Sequence, residues 1–286
     1  MVRSRIIYVE KCIKFYVSNK KKDITLDAVI LCGGKGTRLS EETLLKPKPM
    51  VEIGGKPILW HIMKSYSHYG VNRFILALGY KGDFIKQYFY NYKLTSSDFA
   101  LKLAPEEDVQ FLNHSNEKHW EIIFVDTGEE TLKGGRIKRV EKYIQSDLFH
   151  LTYGDGICDI DINKLLSFHN SHDSIGSVTA VRPPSRFGEL NIDENNTVQD
   201  LEEKPQMGKG LINGGFFIFD KRMLSYLTDD IDCDFEFGPL QKIASDKQLK
   251  AFEHNGFWQC MDNIREKNYL DELINAKNAP WMRWQK

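Results

Sequence analysis

The chain has 286 residues, with 39 Lys and Arg against 40 Asp and Glu and a formal net charge of −1. That balance leaves no general electrostatic footprint for nucleic acid. The 41% hydrophobic and 28% charged residues are those of an ordinary folded domain. No apolar stretch approaches the roughly 18 residues of a membrane-spanning helix, so neither nucleic acid nor a membrane is an expected partner. Near the start, Ile6-Ile7-Tyr8-Val9 is cut by Glu10 and Lys11, too short for the apolar region of a signal peptide. Cys12, Cys32, Cys158, Cys233 and Cys260 are odd in number, widely spaced and without a Cys-x-x-Cys pair, and read as reduced thiols of a cytoplasmic protein.

Residues 1–26 carry seven Lys and Arg against two Asp and Glu and read as a basic extension. They are equally consistent with a docking arm and with an upstream start codon. Asp27 to Cys32 is then a continuous apolar run of strand length, and it ends in a glycine-dense turn, Gly33-Gly34-Lys35-Gly36-Thr37-Arg38. Such a turn lets a backbone approach phosphate closely, although two adjacent glycines alone are also an ordinary strand-to-helix turn. The dinucleotide fingerprint needs a glycine where Leu39 stands, and a P-loop needs Gly-Lys followed by Ser or Thr, whereas Gly34-Lys35 is followed by Gly36. Both are excluded. Arg38, Lys46 and Lys48 nevertheless add fixed cations, Lys48 being held between Pro47 and Pro49.

Pro57 stands where a first helical residue would, Leu59, Ile62, Met63 and Tyr66 share one face, and Gly70 stops the helix. Arg73 to Leu78, Glu121 to Val125 and Leu148 to Tyr153 are further apolar runs. Phe84, Ile85, Tyr88 and Phe89, and again Ile162, Leu165, Leu166 and His169, have helical spacing. Strands apolar throughout and alternating with helices predict an α/β, Rossmann-like mixed and mainly parallel sheet flanked by helices. Ligands in such sheets bind beyond the carboxyl ends of the strands. The turn at 33–38, Thr127-Gly128 and Gly154-Asp155 all follow directly after predicted strands, so one sheet edge is the expected active site. Shorter β segments near 176–182, 188–193, 197–202 and 214–219 suggest an added smaller, β-rich, sugar-binding part. A last helix is expected over 264–276. The tail Trp281-Met282-Arg283-Trp284 would expose apolar mass unless it docks on a partner subunit, which points to a homo-oligomer.

Gly33-Gly34-x-Gly36-Thr37-Arg38-Leu39 resembles the signature of the sugar-1-phosphate nucleotidylyltransferases. The run from Ser40 to Thr43 and from Lys46 to His61 is similar to their glucose-1-phosphate cytidylyltransferase branch. The match continues through Val125-Asp126-Thr127-Gly128, Gly134-Gly135-Arg136, Tyr153-Gly154-Asp155-Gly156, Arg186-Phe187-Gly188, Glu203-Lys204-Pro205, Ile212-Asn213-Gly214-Gly215 and Phe257-Trp258-Gln259, then Met261-Asp262. Ordered, collinear motifs of this kind weigh far more than any one of them, and they place one nucleotidyltransferase domain over 27–286.

The resemblance implies CTP and glucose 1-phosphate as substrates, CDP-glucose and pyrophosphate as products, and a place in deoxysugar or O-antigen-type polysaccharide biosynthesis. The same groups would serve dTTP or UTP, and a non-catalytic sugar-nucleotide-binding subunit is the alternative from another class. By resemblance Arg38 and Lys48 are catalytic, and Asp155 and Asp262 hold Mg²⁺. Leu31, Cys32, Gly33, Gly34, Lys35, Gly36, Thr37, Thr127, Arg136 and Gly154 bind nucleotide. Glu203, Lys204, Asn213 and Gly214 bind the sugar phosphate. Read from the residues alone, Arg136 is equally a solvated cation at a helix start, and Glu-Lys-Pro is a common surface turn. Asp159 and Asp161 lack the spacing and glycine of a calcium loop, and the histidines show no metal-ligand spacing. Cys260 departs from the pattern, which has proline before Met-Asp.

Overall fold

The computed structural model describes residues 26–36, 39–103, 108–113, 115–183, 188–202 and 210–285. Thr37, Arg38, Glu203 and Lys204, named above as site residues, lie outside the described residues, as do Arg186, Phe187 and residues 1–25.

The four apolar runs form parallel neighbours in one sheet. They are β1 (Asp27–Cys32), β2 (Arg73–Leu78), β3 (Glu121–Asp126) and β4 (Leu148–Tyr153), with β1 between β4 and β2, and β3 outside β2. Every residue of β1 is buried. Ala28, Ile30 and Cys32 enter the core on one face, Val29 and Leu31 that on the other. A strand covered on both faces has no polar side to keep, which is why the run reads as continuous rather than alternating. Helices α1 (Ile58–His68), α2 (Gly82–Tyr90), α4 (Ile162–His169) and α5 (Ile264–Asn275) supply the first core; α3 (Lys133–Val140) supplies the second. Pro57 lies one place outside α1 instead of opening it.

The second half completes the sheet with β6 (Gly176–Val181), β7 (Ile212–Asn213), β8 (Phe217–Asp220) and β9 (Leu249–His254). β8 runs antiparallel to β4 and to β6, while β9 runs parallel to β6. The sheet is therefore mixed and mainly parallel, as the alternation of elements predicts. β7 and β8 are one interrupted strand. Ala180 faces Asn213, but Ser177 faces Ile218, so two extra residues bulge out across Gly214-Gly215-Phe216. Gly215 and Phe216 have φ of 74° and 49° there, and Thr179 holds the bulge by donating its hydroxyl to the Phe216 carbonyl at 2.8 Å. The segments at 189–192 and 198–202 pair only as a separate two-stranded ribbon.

At the amino edge of the sheet, Asp27 is buried and accepts from Arg73 on β2 at 2.5 Å and from the backbone N–H of Gln145, just before β4, at 2.5 Å. One carboxylate thereby fixes the relative heights of three strands. The tail meets a different partner from the one expected. Trp281 is 1% exposed within its own chain, stacks on Phe257 at a ring separation of 5.3 Å, and donates its indole N–H to His61 Nδ1 at 3.4 Å. Arg283 reaches Asp159 at 3.2 Å and the Tyr69 hydroxyl at 3.1 Å. The apolar mass is buried against α1, so it needs no second subunit to cover it.

Candidate active site

Cys32 pairs with Leu78, Leu78 with Asp126, and Leu31 with Tyr153. The parallel register thus brings Gly33, Gly79, Thr127 and Gly154 out of the sheet at one level, and a cleft of about 600 Å³ opens there. Leu31, Gly33, Gly34, Lys35, Gly36 and Gly154 line it. Cys32 does not, because alternation turns its thiol into the opposite core, where burial and then the charge of Asp155 push it well above its ordinary range.

Lys48 sits in a single tight turn between its two prolines and is 7% exposed. Its ammonium donates to Asp155 Oδ2 at 2.7 Å and to Asp262 Oδ1 at 2.6 Å. Burial works against the ammonium, but the two carboxylates outweigh it and hold Lys48 above the usual lysine range. Asp155 and Asp262 are brought together by a short ladder of β5 (Gly156–Cys158) and β10 (Trp258–Cys260), in which Gly156 pairs with Cys260. The Met261 N–H continues it by donating to the Asp155 carbonyl at 2.9 Å. The following residue, Asp262, is then fixed by the start of α5. Asn263 caps the helix by accepting from the Glu266 N–H at 3.0 Å, and the Glu266 carboxylate reaches back to the Asp262 N–H at 2.5 Å. Cys260 lines the cleft beside them with its thiol pushed upward by burial and by Asp155.

Arg136 is neither a solvated cation nor a free arm in the cleft. It is 4% exposed, and its guanidinium donates to the carbonyls of Leu78 (3.0 Å), Gly128 (2.7 Å), Gly33 (3.1 Å) and Glu129 (2.9 Å), and to the Thr127 hydroxyl (2.8 Å). These acceptors follow or close β1, β2 and β3, so one planar fork ties three strand ends. Thr127 is spent in the same way, donating to the Leu78 carbonyl at 2.5 Å. A Cβ at Gly33 or at Gly79 would run into this guanidinium, whereas one at Gly34 would meet nothing within 4 Å. Gly134 and Gly135 serve packing too, letting the backbone at 230–233 lie against α3. Gly36 takes φ +63°, with Lys48 Cβ only 2.9 Å from where its own Cβ would be.

Lys35 points across the mouth to Glu130 at 2.6 Å. Gly214 lines the cleft and Asn213, beside it, donates to the Tyr153 hydroxyl at 3.2 Å. Residues that the motifs did not single out also converge here. Lys133 contacts Glu236 at 2.6 Å, and Glu236 accepts from the Tyr153 hydroxyl at 2.8 Å. Lys133 abuts the Gly-Gly-Arg motif and could have been flagged from it; Glu236 lies in a segment with no motif at all.

A family model described as nucleotidyl transferase matches residues 27–259. The chain belongs to the nucleotidyl transferase family. It is 47% identical over 261 residues, 91% of its length, to the whole of the glucose-1-phosphate cytidylyltransferase of Salmonella typhi, and equally so to that of Salmonella typhimurium. Among solved structures, HddC from Yersinia pseudotuberculosis complexed with GMP-PN superposes with a TM-score of 0.62 at 29% identity, covering 87% of this chain and 99% of that one. The nucleotidyl transferase assignment makes the chain an enzyme and disfavours the silent-subunit alternative, and the carboxyl-edge cleft is where such a fold binds ligand.

Proposed function

We propose that this enzyme transfers the cytidylyl group of CTP to α-D-glucose 1-phosphate, giving CDP-glucose and pyrophosphate. The observation that carries the reading is the Lys48–Asp155–Asp262 constellation at the cleft floor, in a chain 47% identical to named glucose-1-phosphate cytidylyltransferases. A sugar phosphate has a second pKa of about 6, so the nucleophile is already largely dianionic at neutral pH and needs no general base. The work left for the protein is to hold two polyanions in line and offset charge at the α-phosphorus. Lys48 supplies the cation, its backbone stiffened by flanking prolines. Arg136 lines the cleft and, as the resemblance implies, binds nucleotide there, while its bonds to the strand ends set the heights of the surrounding loops. Arg38, as the sequence resemblance implies, would meet the leaving pyrophosphate.

Asp155 and Asp262 fit Mg²⁺. Their oxygens face a common point, as the single ammonium reaching both demonstrates, and two carboxylates with phosphate and water suit an ion that seldom takes a full protein cage. When bound, Mg²⁺ would act as a Lewis acid on the phosphates. The resemblance carries the remainder: a product that enters deoxysugar and O-antigen-type polysaccharide assembly.

The test is pyrophosphate release from CTP, UTP, dTTP and GTP with glucose 1-phosphate, with and without excess EDTA. Cytosine presents an amino donor where uracil and thymine present a carbonyl acceptor, and a buried polar mismatch discriminates by as much as about 10⁴. CTP is expected to lead by a wide margin and EDTA to abolish turnover. Comparable kcat/KM for dTTP or UTP removes the cytidylyl assignment, and turnover unaffected by EDTA removes the metal.

A further inference from the structure

The ammonium of Lys48 stands within hydrogen-bonding distance of both carboxylates proposed for the metal, at 2.7 Å from Asp155 and 2.6 Å from Asp262. The side chains of Lys48 and Asp262 are about one-tenth exposed, so water screens little of what passes between them. Asp155 and Asp262 come from segments 107 residues apart, and both are negative. The β5–β10 ladder holds their backbones side by side, and the Lys48 cation between them offsets the repulsion of the two carboxylates. A magnesium ion bound to the same oxygens would sit about 2.1 Å from each, which puts a doubly charged ion beside the ammonium at a separation where like charges oppose each other strongly. An ion bound through Asp155 Oδ2 and Asp262 Oδ1 would compete with the ammonium, which already takes both of those oxygens.

We infer that Lys48 is a placeholder cation: it keeps Asp155 and Asp262 assembled before metal binds, competes with the metal for them, and is set free for phosphate as the metal takes its place. Gly36 and the two prolines make the exchange local. The prolines stiffen the backbone of Lys48, and the missing Cβ at Gly36 leaves room for the stem of its side chain, so the exchange is carried by the side chain. Lys48 thus has two successive partners, carboxylates first and phosphate second. Metal binding alone is weak by design, because it must displace a cation that has as yet nowhere better to go. This rests on the proposed reaction only for the identity of the phosphate.

Metal affinity without nucleotide tests the exchange directly. Mn²⁺, followed by electron paramagnetic resonance, is titrated into the full-length protein and into Lys48→Met and Lys48→Gln, with Asp155→Asn as the control that locates the ion. Removing the competing ammonium is expected to tighten Mn²⁺ binding at least about tenfold, within the usual span of coupling between sites, and Asp155→Asn to abolish the gain. Equal or weaker binding in the folded Lys48 variants overturns the inference. Should both variants fail to fold, the ¹⁵N resonance of the wild-type Lys48 ammonium decides. It should move as Mg²⁺ saturates the site without nucleotide, and a fixed resonance with metal bound at Asp155 overturns the exchange. None of these readings depends on which nucleotide the enzyme prefers, so loss of the CTP preference would leave them standing.

Discussion

Gly33 and Gly34 are neighbours in the chain with opposite surroundings. Beyond Gly33 lies the Arg136 guanidinium, itself engaged by four carbonyls and a hydroxyl; beyond Gly34 lies the open cleft. Gly33→Ala must displace a buried charge from its acceptors, and losing a hydrogen bond to a charged group typically costs about 1.5–3 kcal/mol. Gly34→Ala adds one methyl to empty space. In thermal unfolding, Gly33→Ala should therefore melt several degrees below wild type and Gly34→Ala close to it, while CTP affinity falls in both. Equal melting temperatures for the two would mean that Arg136 yields at little cost. The comparison also shows how far the motif was legible. A Gly-Gly-x-Gly turn announces that backbone comes close to something, and in the sequence that something was phosphate. Gly33 lines the cleft and also lies against an arginine, while Gly134 and Gly135 lie against another stretch of backbone. No local pattern could reveal this, since Arg136 lies 103 residues from Gly33 and its donors are aimed by the register of three strands.

At the scale of elements, the strands and helices of the first half were readable because each buried face repeats along the chain. The β7–β8 bulge was not, because the second half pairs across long separations and a strand interrupted by Gly214-Gly215 looks continuous from 214 onward. The tail was misread for a related reason. Apolar residues in a short terminal segment carry no periodicity, and only the fold shows that α1 offers His61 and Trp60 to receive them. Trp281 is fully enclosed, so Trp281→Ala should cost about 3–5 kcal/mol in urea unfolding, the usual loss for an aromatic core residue. The oligomeric state by size-exclusion chromatography should stay as it is in wild type. If the variant instead keeps its stability and changes its assembly, the tail belongs to a subunit interface.

Taken whole, the molecule is nearly neutral, with a net charge of −1 and a sequence pI near 6.7, so collective charge repulsion is a weak influence on its stability around neutral pH. Buried histidines are a stronger one. Burial lowers His61 to about 4, His150 to about 3 and His169 to about 4. His61 donates from Nε2 to the Ile53 carbonyl and accepts the Trp281 N–H on Nδ1, an arrangement open only to the neutral ring. His150 lies against Tyr66, and neither of its ring nitrogens has a hydrogen-bond partner among the described residues. In the unfolded chain each imidazole titrates near its ordinary value of about 6.5. Between that value and the lowered one, the unfolded state binds more protons, so their contribution is complete above about pH 6.5 and is lost as pH falls toward 4. Each fully buried histidine adds up to about 1.4 kcal/mol per pH unit to the slope in that window. Urea midpoints measured at pH 7.5, 6.0 and 5.0 should therefore be level at first and then fall steeply. His150→Phe, which fills much the same space beside Tyr66 without a proton to gain, should flatten the fall by about one proton's worth while leaving cleft residues untouched. A wild-type curve flat down to pH 5, or a His150→Phe curve parallel to it, would show that His150 is not carried into the fold as a neutral, buried base.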